Sequence, residues 1–170
     1  METATAWHRV LNDPQLRELP YKVETNEHGQ IVLSPHTPQH GLRQSRITDL
    51  LRDHLQDDGA RAVEFAVETQ KGVKVPDVVW ISADRLARVP EDAEASRVVP
   101  DLVVEVLSEG NTESEIAEKR RLYLDEGARE VWTCAPDGTL SFYDANGARD
   151  GSALVPSFPA RIDWVPSRGD

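Results

Sequence analysis

Two carboxylates stand where the surrounding sequence is apolar. In Val73 to Ser82 the odd positions read Val73, Val75, Asp77, Val79 and Ile81, so a strand here carries Asp77 within an apolar row. In Val98 to Ser108 both alternating rows are apolar around Glu105, the pattern of a central strand covered on both faces. A carboxylate left unpaired in such an interior costs several kcal/mol or gives up its charge, so Asp77 and Glu105 require a cation. A divalent metal is one candidate, since Mg²⁺ is commonly held by one or two carboxylates with waters and substrate oxygens. An Arg or Lys in a structural ion pair is the other. Lys119 lies three residues after Ile116 and four before Tyr123, on one helical stripe, from which its ammonium can reach Glu105. The competing reading of Lys119 is an exposed i, i+4 pair with Glu115.

The elements that must position these groups follow from the patterning. Residues 21 to 33 read as an N-terminal β-hairpin turning at Asn26 to Gly29. Leu42, Ile47, Leu50, Leu51 and Leu55 recur at mostly helical spacing from about Pro38 to His54, and Asp57, Asp58 and Gly59 end the run. Val63, Phe65 and Val67 alternate with Glu64 and Glu68, which predicts a strand with those two acids on a solvated row. The next strand spans Val73 to Ser82, with Pro76 marking an edge or bulge. Thr112 and Glu115 form a capping box that starts a second helix, whose buried stripe is Ile116, Tyr123 and Leu124 and whose stop is Gly127. Glu130 to Ala135 and Thr139 to Asp144 flank a Pro136-Asp137-Gly138 turn, a second hairpin. The last segment, with Val155, Phe158, Ile162 and Trp164, is at most a short edge strand, and the ends and Ala83 to Arg97 read as flexible.

Length and composition bound the possibilities. The 170 residues suit a single α/β (α+β) domain, with a core at about 20 to 145 and peripheral ends. Thirty acidic against 19 basic residues leave a net charge of −11, which excludes nonspecific coating of nucleic acid and leaves only a local basic cleft. No uncharged apolar stretch approaches the roughly 18 residues of a membrane span, and the N-terminal segment lacks a signal peptide's basic start and apolar middle. A cytoplasmic protein without membrane contact is expected. The lone cysteine, Cys134, excludes an internal disulfide and a zinc-finger type of site, and reads as a strand filler.

An ordered set of motifs then carries a resemblance. Val75-Pro76-Asp77-Val78-Val79-Trp80, Pro100-Asp101 through Glu105 to Ser108, Glu118-Lys119-Arg120-Arg121-Leu122-Tyr123, and Gly127 to Glu130-Val131-Trp132 resemble the Uma-type family of restriction endonucleases in the PD-(D/E)XK nuclease superfamily. The likeness extends upstream to Glu24, Gly29, Ser34-Pro35 and His40, covering most of residues 20 to 135. It implies a restriction-endonuclease-like fold, a mixed central β-sheet flanked by helices, with a metal site at its strand ends. Asp77 would be the acid of the PD element and Glu105 that of the (D/E)XK element. The position two after Glu105 is Leu107 rather than lysine, so Lys119 on the following helix is the substitute. Glu24 and His40 are additional candidates for the same cleft.

The function so implied is metal-dependent hydrolysis of phosphodiesters, with DNA a likelier substrate than RNA. Asp77, Glu105 and the backbone carbonyl of Val106 would hold Mg²⁺ or Mn²⁺, and Lys119 would steady developing charge. Trp80, Tyr123 and Trp132 read as core or cleft wall, and Arg43, Arg46, Arg120 and Arg121 as helix surface able to touch phosphates. A homodimer suits the cutting of both strands of a duplex. The rival is a binding or scaffold protein that keeps the fold without catalysis, which the acidic composition favours.

Overall fold

A computed structural model describes residues 2–163, and Trp164 lies outside them. The chain runs through α1 (Glu2–Asn12), α2 (Pro14–Arg17), β1 (Tyr21–Thr25), β2 (Ile31–Pro35), α3 (Pro38–His54), β3 (Ala60–Val63), β4 (Val67–Thr69), β5 (Gly72–Lys74), β6 (Val78–Ile81), α4 (Ala83–Leu86), β7 (Leu102–Val106), α5 (Glu113–Asp125), β8 (Glu130–Cys134), β9 (Leu140–Asp144) and β10 (Gly147–Arg149). Six strands form a mixed sheet in the order β10-β9-β8-β7-β6-β3. Only the β7–β8 pair is parallel, and α5 makes its crossover.

Helices cover both faces of this sheet, and side-chain parity decides what each one meets. Ile47, Leu50 and Leu51 of α3 share one core with Val78, Trp80, Leu102, Val104 and Trp132. Tyr123 and Ala128 share the other with Val79, Val103 and Val131. Asp77 and Glu105 have the parity of Val79 and Val103, so both belong to the α5 side. Val78 pairs with Val104, which sets Asp77 and Glu105 beside each other where β6 begins and β7 ends. A third cluster joins Trp7 and Val10 of α1 to Val73 and Val75, with Val23 packed against it. The flanks of the 20–145 core therefore pack too, and Val155, Phe158 and Ile162 enter the α3-side core.

Two expected strands are broken, each for a local reason. The Val63–Glu68 run bends at Glu64, whose φ of 52° is left-handed. Pro76 lacks the N–H that would continue the ladder of the Val73–Ser82 run. Between these breaks β4 and β5 leave the main sheet and pair with each other. Gly72 lets this hairpin lie on β1: its φ is +92°, and a Cβ there would collide with the Thr25 carbonyl. The Val73 N–H donates to Thr25 Oγ1 at 2.8 Å, and Lys74 Nζ to the Thr25 carbonyl at 2.9 Å. Ala83 to Arg97, read as flexible, holds α4 and anchors Ser96 to β4 by reciprocal bonds with Ala66 and Glu68, because that backbone needs partners once packed.

A candidate phosphodiesterase site

The N-terminal hairpin, the start of α3, the β6 and β7 ends and α5 meet at a cleft of about 550 Å³. Each delivers its side chain for a legible reason. Thr37 caps α3 and accepts the His40 N–H at 3.2 Å, which seats His40 in the first turn facing β6. The Thr112–Glu115 capping box is formed, and α5 aims Lys119 and Tyr123 at Glu105 from one stripe. On β1, period-2 alternation places Lys22 and Glu24 on the same buried face.

The resulting cluster holds three buried carboxylates and two ammonium groups. Lys22 Nζ lies 3.1 Å from Asp77 Oδ1, 3.5 Å from Glu105 Oε2 and 3.7 Å from Glu24 Oε1. Lys119 Nζ lies 2.8 Å from Glu24 Oε1 and 3.2 Å from Glu105 Oε1. The remaining oxygens are also held. The Val106 N–H donates to Asp77 Oδ2 at 2.7 Å, with His40 Nε2 at 3.3 Å from the same atom. The Tyr123 hydroxyl donates to Glu105 Oε1 at 2.9 Å, and the Val75 N–H to Glu24 Oε2 at 3.2 Å.

Burial and charge compete at every member of this cluster. Burial pushes the Glu105 carboxyl above its usual range; Lys119 and Lys22 pull it down, while Asp77 and Glu24 push it further up. At Asp77 the cations win. Burial would raise it, but the bond from His40, the Lys22 charge and the Val106 N–H hold it well below the ordinary range. Glu24 is also lowered, as Lys119 and Lys22 outweigh its burial. Burial alone would lower Lys22, yet Glu105, Asp77 and Glu24 raise it, so it stays an ammonium ion. Tyr123 is raised by burial and by the Glu105 charge, so its phenol remains a donor.

Asp77, Glu105, Lys119, Glu24, His40 and Val106 thus all line one cleft. Lys119 reaches Glu105 rather than the exposed pair with Glu115. Two participants were missed. Lys22 was signalled by its place two residues before Glu24 on the same strand face, and the Tyr123 hydroxyl by its place four residues after Lys119. None of Arg43, Arg46, Arg120 and Arg121 lines the cleft: Arg43 is buried and donates to the Pro136 carbonyl, and Arg120 stacks 3.8 Å over the Tyr143 ring. The basic groups of the cleft are Lys22, Lys71, Lys74 and Lys119 instead, and Lys71 is paired with Glu118.

In donor chemistry the cluster fits a hard divalent ion, which prefers carboxylate oxygens. The position between the carboxylates is held by the Lys22 ammonium. Among the described residues no group of three or more His, Cys, Asp or Glu side chains stands in metal-ligand arrangement. Lysines interleave the acids here. Also among the described residues, no helix is long and apolar enough to cross a membrane.

Residues 13–155 match the model of the family Uma2, described as "Putative restriction endonuclease". No curated protein matches the chain. The fold is similar to the crystal structure of a "putative nuclease" from Anabaena variabilis, with a TM-score of 0.66 and 21% identity over 87% of this chain and 92% of that one. At that identity the likeness speaks for the fold, a mixed sheet flanked by helices. With the family match spanning the hairpin, both acid-bearing strands and α5, the chain belongs to the Uma2 family of restriction-endonuclease-like proteins.

Proposed function

We propose that the chain is a metal-dependent endonuclease that hydrolyses phosphodiester bonds in the cleft between the N-terminal hairpin and α5, with DNA preferred over RNA. One observation carries this reading: Asp77, Glu105, Glu24 and Lys119, drawn from four separate elements, converge at the end of two central strands. A structural ion pair needs two groups, whereas five charges facing a cleft, four of them buried, carry a large desolvation cost that function explains.

Restriction-endonuclease-like nucleases generally use divalent metal ions. Asp77 and Glu105, with the Val106 carbonyl, would hold Mg²⁺ or Mn²⁺, which when bound supplies an activated water and neutralises phosphate charge. The protein's own groups do the rest. The Val106 N–H and His40 fix the Asp77 carboxylate, and the Tyr123 hydroxyl fixes that of Glu105. Lys119, held between Glu24 and Glu105, offers its remaining hydrogen-bond donor to the anionic oxygens that gain charge during hydrolysis. Charge in the cleft supports the ion's part, since four lysines face six carboxylates and the walls alone repel a phosphodiester.

The second reading, a binding or scaffold protein without catalysis, is favoured by the saturation of the cluster's carboxylates by protein donors. Plasmid nicking separates the two. Wild type with Mg²⁺ or Mn²⁺ should convert supercoiled DNA to open circles, and Glu105→Gln, which removes a charge that burial already disfavours, should stay folded and fail to cut. Equal nicking by both proteins would remove Glu105 from the reaction.

A further inference from the structure

Lys22 is the one member of the cluster that contacts all three carboxylates. It donates to Asp77 Oδ1 and Glu105 Oε2, and Glu24 Oε1 lies 3.7 Å away as an ion-pair partner. It is 8% exposed, yet lines the cleft on a four-carbon stem.

Resting on the metal-dependent reading above, we infer that the Lys22 ammonium is an internal stand-in for the divalent cation, which must leave the carboxylates and swing into the cleft before a metal ion can bind. The oxygens decide this. Asp77 Oδ2 is committed to the Val106 N–H and His40, and Glu105 Oε1 to Tyr123 and Lys119. The two oxygens left for a shared ion are Asp77 Oδ1 and Glu105 Oε2, and both are held by Lys22. Mg²⁺ binds oxygens at about 2.0 to 2.1 Å in near-octahedral geometry and cannot share lone pairs with an ammonium at the same point. Two like charges in one buried site also repel strongly. Lys22 can move: its stem opens on a cleft of about 550 Å³, whereas the backbone donor of Val106 cannot retreat. The exchange delivers a cation to the place where a substrate phosphate would lie.

Calorimetric titration with Mn²⁺ alone tests this on the full chain. Lys22→Met, which keeps the stem and removes the charge, should bind Mn²⁺ at least about 10-fold tighter than wild type, close to 1.4 kcal/mol. Lys119→Met removes an equal charge from the same cluster without freeing those two oxygens, and should tighten binding far less. Equal gains in the two variants, or none in Lys22→Met, would overturn the exchange while leaving metal binding intact. Absence of Mn²⁺ binding by wild type and Lys22→Met alike would overturn the metal reading with it. Should Lys22→Met fail to fold, reductive methylation of wild type read by mass spectrometry decides the matter. Lys22 should be protected without Mn²⁺ and labelled at Mn²⁺ concentrations that raise the Tm, whereas protection under both conditions would refute the displacement.

Discussion

Tyr123→Phe isolates one contact of the cluster with little other disturbance. The ring is fully buried among Val79, Val103 and Val131, and Phe keeps that packing while removing only the hydroxyl. The lost bond runs 2.9 Å to Glu105 Oε1. A hydrogen bond to a charged acceptor contributes about 1.5 to 3 kcal/mol. Lys119 at 3.2 Å still serves the same oxygen, so the lower part of that range applies, about 2 kcal/mol. In a protein of this length 1 kcal/mol moves the Tm by roughly 2 to 4 °C, so the variant should melt about 4 to 8 °C lower. Urea unfolding should show a lower midpoint at an unchanged slope. In a Glu105→Gln background the same substitution should cost only about 1 kcal/mol, because the acceptor is then neutral. A Tyr123→Phe protein that melts within about 1 °C of wild type would refute the claim that Glu105 draws on this phenol.

Asp77→Asn should lower stability by about 3 to 5 kcal/mol, since it removes a buried partner of Lys22, and thermal melts at pH 7 check this. Because the folded pKa of Asp77 lies below its ordinary 3.8, its contribution is complete above that value and is lost as pH falls through the folded value; Asp77→Asn should therefore flatten the acid limb of Tm against pH, and an unchanged limb would contradict the assignment. Lys119→Ala should slow cleavage by about 100-fold per folded molecule with a smaller effect on substrate binding, as loss of a transition-state contact requires, and single-turnover kinetics measure the split. Glu130→Gln tests the other side of the sheet: that carboxylate accepts from Trp132 Nε1, Ser152 Oγ and the Ala153 and Leu154 N–H groups, so the variant should lose about 2 to 4 kcal/mol in urea unfolding and keep its cleavage rate while folded.

Much of the site was legible because it rests on local rules. Apolar alternation marked Asp77 and Glu105 as buried acids, which the β6–β7 register then sets side by side, and the capping box and a three-and-four spacing aimed Lys119 from α5. The bounds of α3 coincide with the Pro38–His54 run because Thr37 and Pro38 punctuate its start. Lys22 was not legible in the same way. A lysine in a hairpin strand is ordinary, and its burial arises from β1 being laid against β5 by bonds between residues nearly 50 apart, such as Val73 N–H to Thr25 Oγ1. The break at Pro76 was marked by the proline itself, whereas the bend at Glu64 carried no sequence signal. The residues around Glu64 alternate as a strand should, and the pairing of β4 with β5 away from the main sheet came from the tertiary fold. Arginines on α3 and α5 were ambiguous for want of knowing which helix face the cleft takes.

The central claim is that phosphodiesters are cut by this cluster, and the rate of cleavage of labelled duplex, single-stranded DNA and RNA with Mg²⁺ or Mn²⁺ tests it most directly. Wild type, Glu105→Gln and Glu130→Gln should be measured side by side at equal concentrations of folded protein. Cleavage by wild type and Glu130→Gln, with Glu105→Gln slower by about 100-fold or more, is the predicted result. Cleavage by Glu105→Gln at the wild-type rate, or none by wild type on any of the three substrates while the divalent ion is bound, would contradict it.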